Sequence, residues 1–258
     1  MNCAGYIRNG FTVILFCLFA ILLSGCASSQ KHEAQEHKLA ATHYQLGKDA
    51  LIKGMLPKAF EELMKADKLH PNQPEVLDVL AYAWLLRGDL DKAEAHYKRA
   101  LRYGAGSATK NNYANLLNKL QRFPEAEKMA IGALEDPRYP NQDLAFINLG
   151  DALLGQNKYS LAIQAYRQAQ IFSPGSILPE MRIAKAYAKE NRTNEAILLY
   201  RALYSRNNSN RAIVEGLLAL LKQQGETTQA RLMLKEFNHN ATSALDKAWA
   251  MDELAQLK

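Results

Sequence analysis

The sequence predicts an all-α protein built from a repeated pair of helices, on three observations. Beyond residue 25, 36 Ala and 34 Leu stand against only three Val (Val76, Val79 and Val214). Ala and Leu are strong helix formers, whereas sheets draw on Val, Ile and Thr. An Ala inside a charged amphipathic segment recurs at Ala59, Ala93, Ala126, Ala162, Ala196 and Ala230, at intervals of 34, 33, 36, 34 and 34 residues. Its companions keep fixed offsets: thirteen residues earlier stand Leu46, Leu80, Tyr113, Leu149, Ile183 and Leu217, and four later Leu63, Tyr97, Ala130, Tyr166, Tyr200 and Leu234. With 258 residues, 48% hydrophobic and 22% charged, the chain falls outside disordered and collagen-like classes.

Residues 1–25 are expected to be a signal peptide. Arg8 precedes an apolar run of 13 residues, 11–23, shorter than the roughly 20 a spanning helix needs. Leu23-Ser24-Gly25-Cys26 resembles the bacterial lipobox. That resemblance implies a lipoprotein signal, with Cys26 as the first mature residue, acylated on its sulfur. The alternative is an ordinary signal peptide or anchor with a chance cysteine at its end. Cys3 and Cys17 lie inside the segment to be removed, so no disulfide or cysteine metal site is expected in the remainder. Two or more acyl chains anchor a protein durably. By resemblance to sorted lipoproteins, Ala27 in place of Asp implies the outer membrane, facing the periplasm. Residues 26–39 are read as the lipidated N-terminus and a polar tether that reaches at most ~45 Å.

Residues 40–240 hold six units. The residue twelve before each recurring Ala is small in five of them (Gly47, Ala81, Ala114, Gly150, Ala184) and Leu218 in the sixth. Small residues there and at the recurring Ala let two helices approach closely while the larger residues fill the gaps. Pro57 and Pro124 sit two residues before that Ala, where proline in a helix's first turn sacrifices no hydrogen bond. This pattern resembles the tetratricopeptide repeat, which implies a right-handed solenoid of about six helix pairs. The longest interval contains Asp136-Pro137-Arg138-Tyr139-Pro140-Asn141, an irregular loop. It reads equally as a harmless insertion or as a partner contact. Residues 241–258 are expected to form a capping helix, with Ser243 as N-cap and Leu245, Ala248, Trp249, Leu254 and Leu257 on its covered face.

No HExxH, CxxC, Walker glycine loop or GxSxG is present, so neither an enzyme nor a cofactor or metal is expected. The acid pairs Glu61-Glu62 and Asp252-Glu253 read as solvated helix faces, and His32 and His37 as exposed linker residues rather than metal ligands. The net charge of +6 comes with alternating acids and bases, which gives little support to nucleic-acid binding.

Stacked repeats leave a concave surface for binding. Repeat positions 2, 5, 9 and 12 face that groove in the repeat family. They map here onto Tyr44 and Lys48, Asp78 and Tyr82, Asn111, Asn115 and Asn118, Asp151, and Met181 and Lys185. The asparagines form a ladder of donors and acceptors suited to an extended peptide backbone; singly, each could simply keep an exposed face soluble. The first unit has Tyr44 and Lys48 where chaperone-type repeats carry a Lys-Asn pair, so no carboxylate clamp is expected.

Lipobox, short tether and six repeats together resemble the type IV pilus biogenesis or pilotin lipoproteins, the PilF/PilW/Tgl type. The segments Asn111-Asn112-Tyr113-Ala114-Asn115-Leu116-Leu117, Glu135-Asp136-Pro137-Arg138-Tyr139-Pro140 and Asn148-Leu149-Gly150 are similar to that family's central repeats. The resemblance implies a non-catalytic outer-membrane scaffold that assists assembly or localisation of a secretin, its protein partner, with lipid on Cys26 as membrane anchor. The alternative is a repeat lipoprotein serving another envelope complex, in polysaccharide export or cell-wall synthesis.

Overall fold

The structure, a computed structural model, describes residues 32–257. Thirteen helices lie among them: α1 (32–52), α2 (Leu56–Leu69), α3 (Pro74–Arg87), α4 (Leu90–Arg102), α5 (Ser107–Lys119), α6 (Phe123–Leu134), α7 (Gln142–Gly155), α8 (Tyr159–Phe172), α9 (Leu178–Lys189), α10 (Thr193–Arg206), α11 (Arg211–Gln223), α12 (Thr227–Asn240) and α13 (Ala244–Gln256). They divide into two compact units at Ala105 and Gly106, so α1–α4 make the first and α5–α13 the second.

Each recurring Ala is fully buried, and Leu63, Tyr97, Ala130, Tyr166 and Leu234 four residues on are buried completely beside it. Burying one such large apolar side chain contributes roughly 1.5–3 kcal/mol. The small residue in the first helix of each pair is explained by the same contact. A methyl group on Gly47 would lie 2.6 Å from Leu63 Cγ, and one on Gly150 would meet the Tyr166 ring.

The turn inside every pair carries one left-handed residue: Gly54, Gly88, Gln121, Asn157, Asn191 and Gly225. Glycine and asparagine take that conformation at little cost, and it lets the chain reverse in two or three residues. Pro57, Pro74, Pro124 and Pro179 occupy first-turn positions of α2, α3, α6 and α9. The Asp89 side chain caps α4, and Asn210 caps α11 by accepting from the Ala212 and Ile213 amides.

The first unit's core gathers Phe60, Leu63, Val76 and Leu80. In the second unit α5, α7, α9 and α11 contact one another in succession, which places the first helices of its pairs side by side. One large cluster runs from Ala184 through Leu217 and Phe237 to Leu257.

Four expectations need correction. The tether is helical from residue 32, as the start of α1, because Glu, Ala, Gln and Lys are good helix formers and extend a helix already nucleated by its packed part. Leu46 is 47% exposed, since no described element covers that part of α1. Glu62 is no solvated surface acid: it is buried, 2.5 Å from His43 Nδ1 and 2.7 Å from Lys58 Nζ. Glu253 is likewise half-buried and pairs with Lys222. On α13, Leu245 and Ala248 face solvent and Ser243 makes no side-chain cap. The covered face is instead Trp249, Ala250, Leu254 and Leu257, with Trp249 edge-on to Phe237 and Arg211 over its ring.

Candidate functional site

In the first unit the expected residues lie around one another. Tyr44 is half-buried, with the Lys48 ammonium 5.3 Å from its ring centre. Burial pushes the Tyr44 hydroxyl pKa up, and the charges of Glu75 and Asp78 add to the effect. Burial drives the Tyr97 hydroxyl far above the ordinary tyrosine range, and Asp78 and then Tyr82 add to the effect. Tyr82 itself is 43% exposed. The result is a surface of polar and aromatic side chains.

In the second unit a groove of about 540 Å³ collects Asn115, Asn118, Asp151 and Lys185. Asn111 does not join them. It is buried, and the Asn148 side chain donates to its Oδ1 at 2.8 Å and to its carbonyl at 3.2 Å. Asn118 in turn donates to the Asn148 carbonyl at 2.8 Å. The asparagines at both ends of the ladder therefore tie α5 to α7, and only Asn115 is exposed. Adjacent helices that pack face to face bury polar positions near their contact line, and a buried amide must then find partners. The Asn118 Oδ1 atom is buried with no hydrogen-bond partner among the described residues. Met181 is absent from the groove lining and packs instead against the core cluster that runs from Ala184 to Leu257.

Asp151 is the groove's organising acid. It accepts a hydrogen bond from the Tyr166 hydroxyl at 2.8 Å and lies 3.0 Å from Arg182 Nε. Burial first, then the Asp151 charge, drive the Tyr166 hydroxyl far above the ordinary tyrosine range, so it stays a neutral donor. Sequence reasoning missed Arg182, Lys119, Lys189 and Asn148, which also line the groove. Arg182, Lys185 and Lys189 follow at i, i+3 and i+7 along α9, a one-face spacing that could have revealed them. Fixed repeat positions passed over two of the three.

The 136–141 loop is partly core. Tyr139 is buried with Ala133 and Ala145, and the Asp136 carboxylate accepts from the Arg138 amide at 3.0 Å. The Arg138 side chain remains 88% exposed. His37 lies against His70, with ring centres 3.6 Å apart. Cys26 and the signal segment lie outside the described residues.

The tetratricopeptide-repeat family model matches residues 58–108 and 114–177. Over 161 residues, 60% of this chain, the sequence is 27% identical to the type IV pilus assembly protein PilF of Pseudomonas aeruginosa, and the match covers 64% of that protein. The chain spans less than two thirds of the length of the curated relatives it matches. Several solved structures share the fold, PilF and PilW among them. That of Pseudomonas aeruginosa PilF has a TM-score of 0.67 at 20% identity, over 85% of this chain and 99% of that one. That of PilW, a type IV pilus biogenesis factor, has a TM-score of 0.72 at 20% identity, over 78% and 93%. The matched segments, the helix pairing and the likeness to known structures show tetratricopeptide repeats in a fold shared with PilF and PilW.

Proposed function

We propose that this protein is a non-catalytic scaffold in type IV pilus biogenesis, held on the outer membrane by lipid on Cys26, where it assists a secretin to assemble or to reach its place. The observation that carries the reading is the similarity in sequence to the pilus assembly protein PilF. Stacked repeats with a polar groove and surface aromatics support a binding role rather than a chemical one, because such surfaces hold extended segments of other proteins. The lipids supply the membrane attachment, and the repeat surface supplies the hold on the partner.

The test is the fraction of secretin found in heat- and detergent-resistant multimers. Deleting the protein is expected to abolish the multimers while secretin monomer persists. Cys26→Ala is expected to leave a folded protein in the wrong compartment, with multimers reduced. Normal multimers and normal pili in the deletion strain would sink the reading and turn attention to another envelope complex, such as polysaccharide export or cell-wall synthesis.

A further inference from the structure

We infer that the groove of the second unit takes an extended acidic segment of a protein partner, whose carboxylates meet Lys119, Lys185 and Lys189. The inference deepens the scaffold reading and rests on it for one point, that the occupant is protein. Four cations line this groove, Lys119, Arg182, Lys185 and Lys189, against Asp151 as the one carboxylate among its described lining residues. Arg182 is committed to that carboxylate at 3.0 Å, so the two charges largely offset each other. Lys119, Lys185 and Lys189 are all exposed and form no ion pair with any described residue.

Several other lysines are neutralised locally, Lys58 and Lys65 by Glu61 and Glu62, Lys98 by Glu94, and Lys158 by Glu127. Others, such as Lys53 and Lys247, are exposed without an ion pair to any described residue; what sets Lys119, Lys185 and Lys189 apart is that all three line one groove. Lys119 and Lys189 stand in the last turns of α5 and α9, where a cation also stabilises the helix macrodipole. Lys185 is a turn further in and has no such role. A concave site lined by one sign of charge focuses its field and raises the local concentration of oppositely charged ligands.

Geometry favours peptide over polynucleotide. Neighbouring packed helices stand 8–10 Å apart, so Lys119 on α5 and the two lysines on α9, one helix beyond α7, are roughly 20 Å apart. An extended peptide covers that distance in about six residues. Asn115, one turn before Lys119 on α5, also lines the groove with an exposed amide, which can both donate to and accept from a peptide backbone. Among the described lining residues Phe123 is the single aromatic side chain, a poor platform for single-stranded nucleic acid, which binds by stacking successive bases.

The experiment is fluorescence anisotropy on the full chain with three labelled probes. They are a twelve-residue peptide with Asp or Glu clusters six residues apart, the same peptide with Asn and Gln in place of the acids, and a twelve-nucleotide oligo-dT. The acidic peptide is expected to bind at least tenfold more tightly than its amide twin and to weaken as salt rises. Lys185→Gln/Lys189→Gln is expected to cost about tenfold in affinity for the acidic peptide. Both side chains are exposed, so an unchanged circular dichroism spectrum and melting curve should accompany that loss. Equal binding of both peptides, undiminished binding by the double variant, or no peptide binding would overturn the inference. Oligo-dT binding as tightly as the acidic peptide would overturn it in favour of a general polyanion site. The multimer assay judges the scaffold reading separately, since normal multimers refute that reading whatever the peptides do.

Discussion

Replacing Asn148 with Ala tests whether the asparagines of the second unit hold the scaffold together or serve the partner. The side chain is buried on α7, and its amide donates at 2.8 Å to Oδ1 of Asn111, itself buried on α5. The Asn111 carbonyl, 3.2 Å away, keeps its own helical hydrogen bond after the substitution. Asn111 Oδ1 does not, and a buried acceptor left without a donor costs about 1–3 kcal/mol. The Asn118 bond goes to the Asn148 main chain and survives. Asn148→Ala should therefore lose about 2 kcal/mol, read as a lower urea midpoint with an unchanged slope. Asn111→Leu/Asn148→Leu removes donor and acceptor together and should be far less damaging than the single changes add up to, a positive coupling in a double-mutant cycle. If Asn148→Ala is as stable as wild type, or the double variant merely sums the singles, the amide is not a structural tie and the reasoning fails.

Two further expectations concern the first unit's buried acid and one turn. Glu62 has its carboxyl pKa lowered from 4.5 to about 2, chiefly by the hydrogen bond from Lys58 and then by that with His43. A carboxylate depressed by folding contributes stability fully present above pH 4.5 and lost as pH falls toward 2. The wild-type melting temperature should thus drop more steeply across that window than that of Glu62→Gln, and parallel curves would refute the assignment. Gln121 is the one residue other than Gly or Asn among the six left-handed turn residues. Gln121→Gly should raise stability by up to about 1 kcal/mol, the left-handed strain less the extra freedom of the unfolded chain. A lower urea midpoint would show that the turn carries no such strain.

Much of the fold was legible because the repeat imposes a local rule. The recurring Ala marks where two helices must touch, and all six occurrences are fully buried. The same register places a left-handed residue in every intra-pair turn. Periodicity failed where a residue's neighbours come from outside its own repeat. Leu46 follows the pattern yet is exposed, because no described element covers it. The covered face of α13 is set by the surface left open by α11 and α12, so it is centred on Ala250 rather than on the face containing Leu245.

Sequence alone therefore determined the helical class, the pairing of helices and the small-residue contacts that set their spacing, since each depends on residues within one 34-residue register. It also assigned Asn115, Asp151 and Lys185 to the concave face of the repeats, and one groove is lined by all three. Only the tertiary structure decided which polar groups are consumed by the scaffold and which remain available. Asn111 and Asn115 are one helical turn apart, yet one is buried against Asn148 and the other faces the groove. Asp151 is claimed by Tyr166 from the following helix and by Arg182 from the next pair, while Lys185, one turn from Arg182, stays free of any described ion pair. A hydrogen bond or ion pair depends on the few ångströms between side chains of different helices, and a repeat pattern carries no information on that distance until the helices are packed.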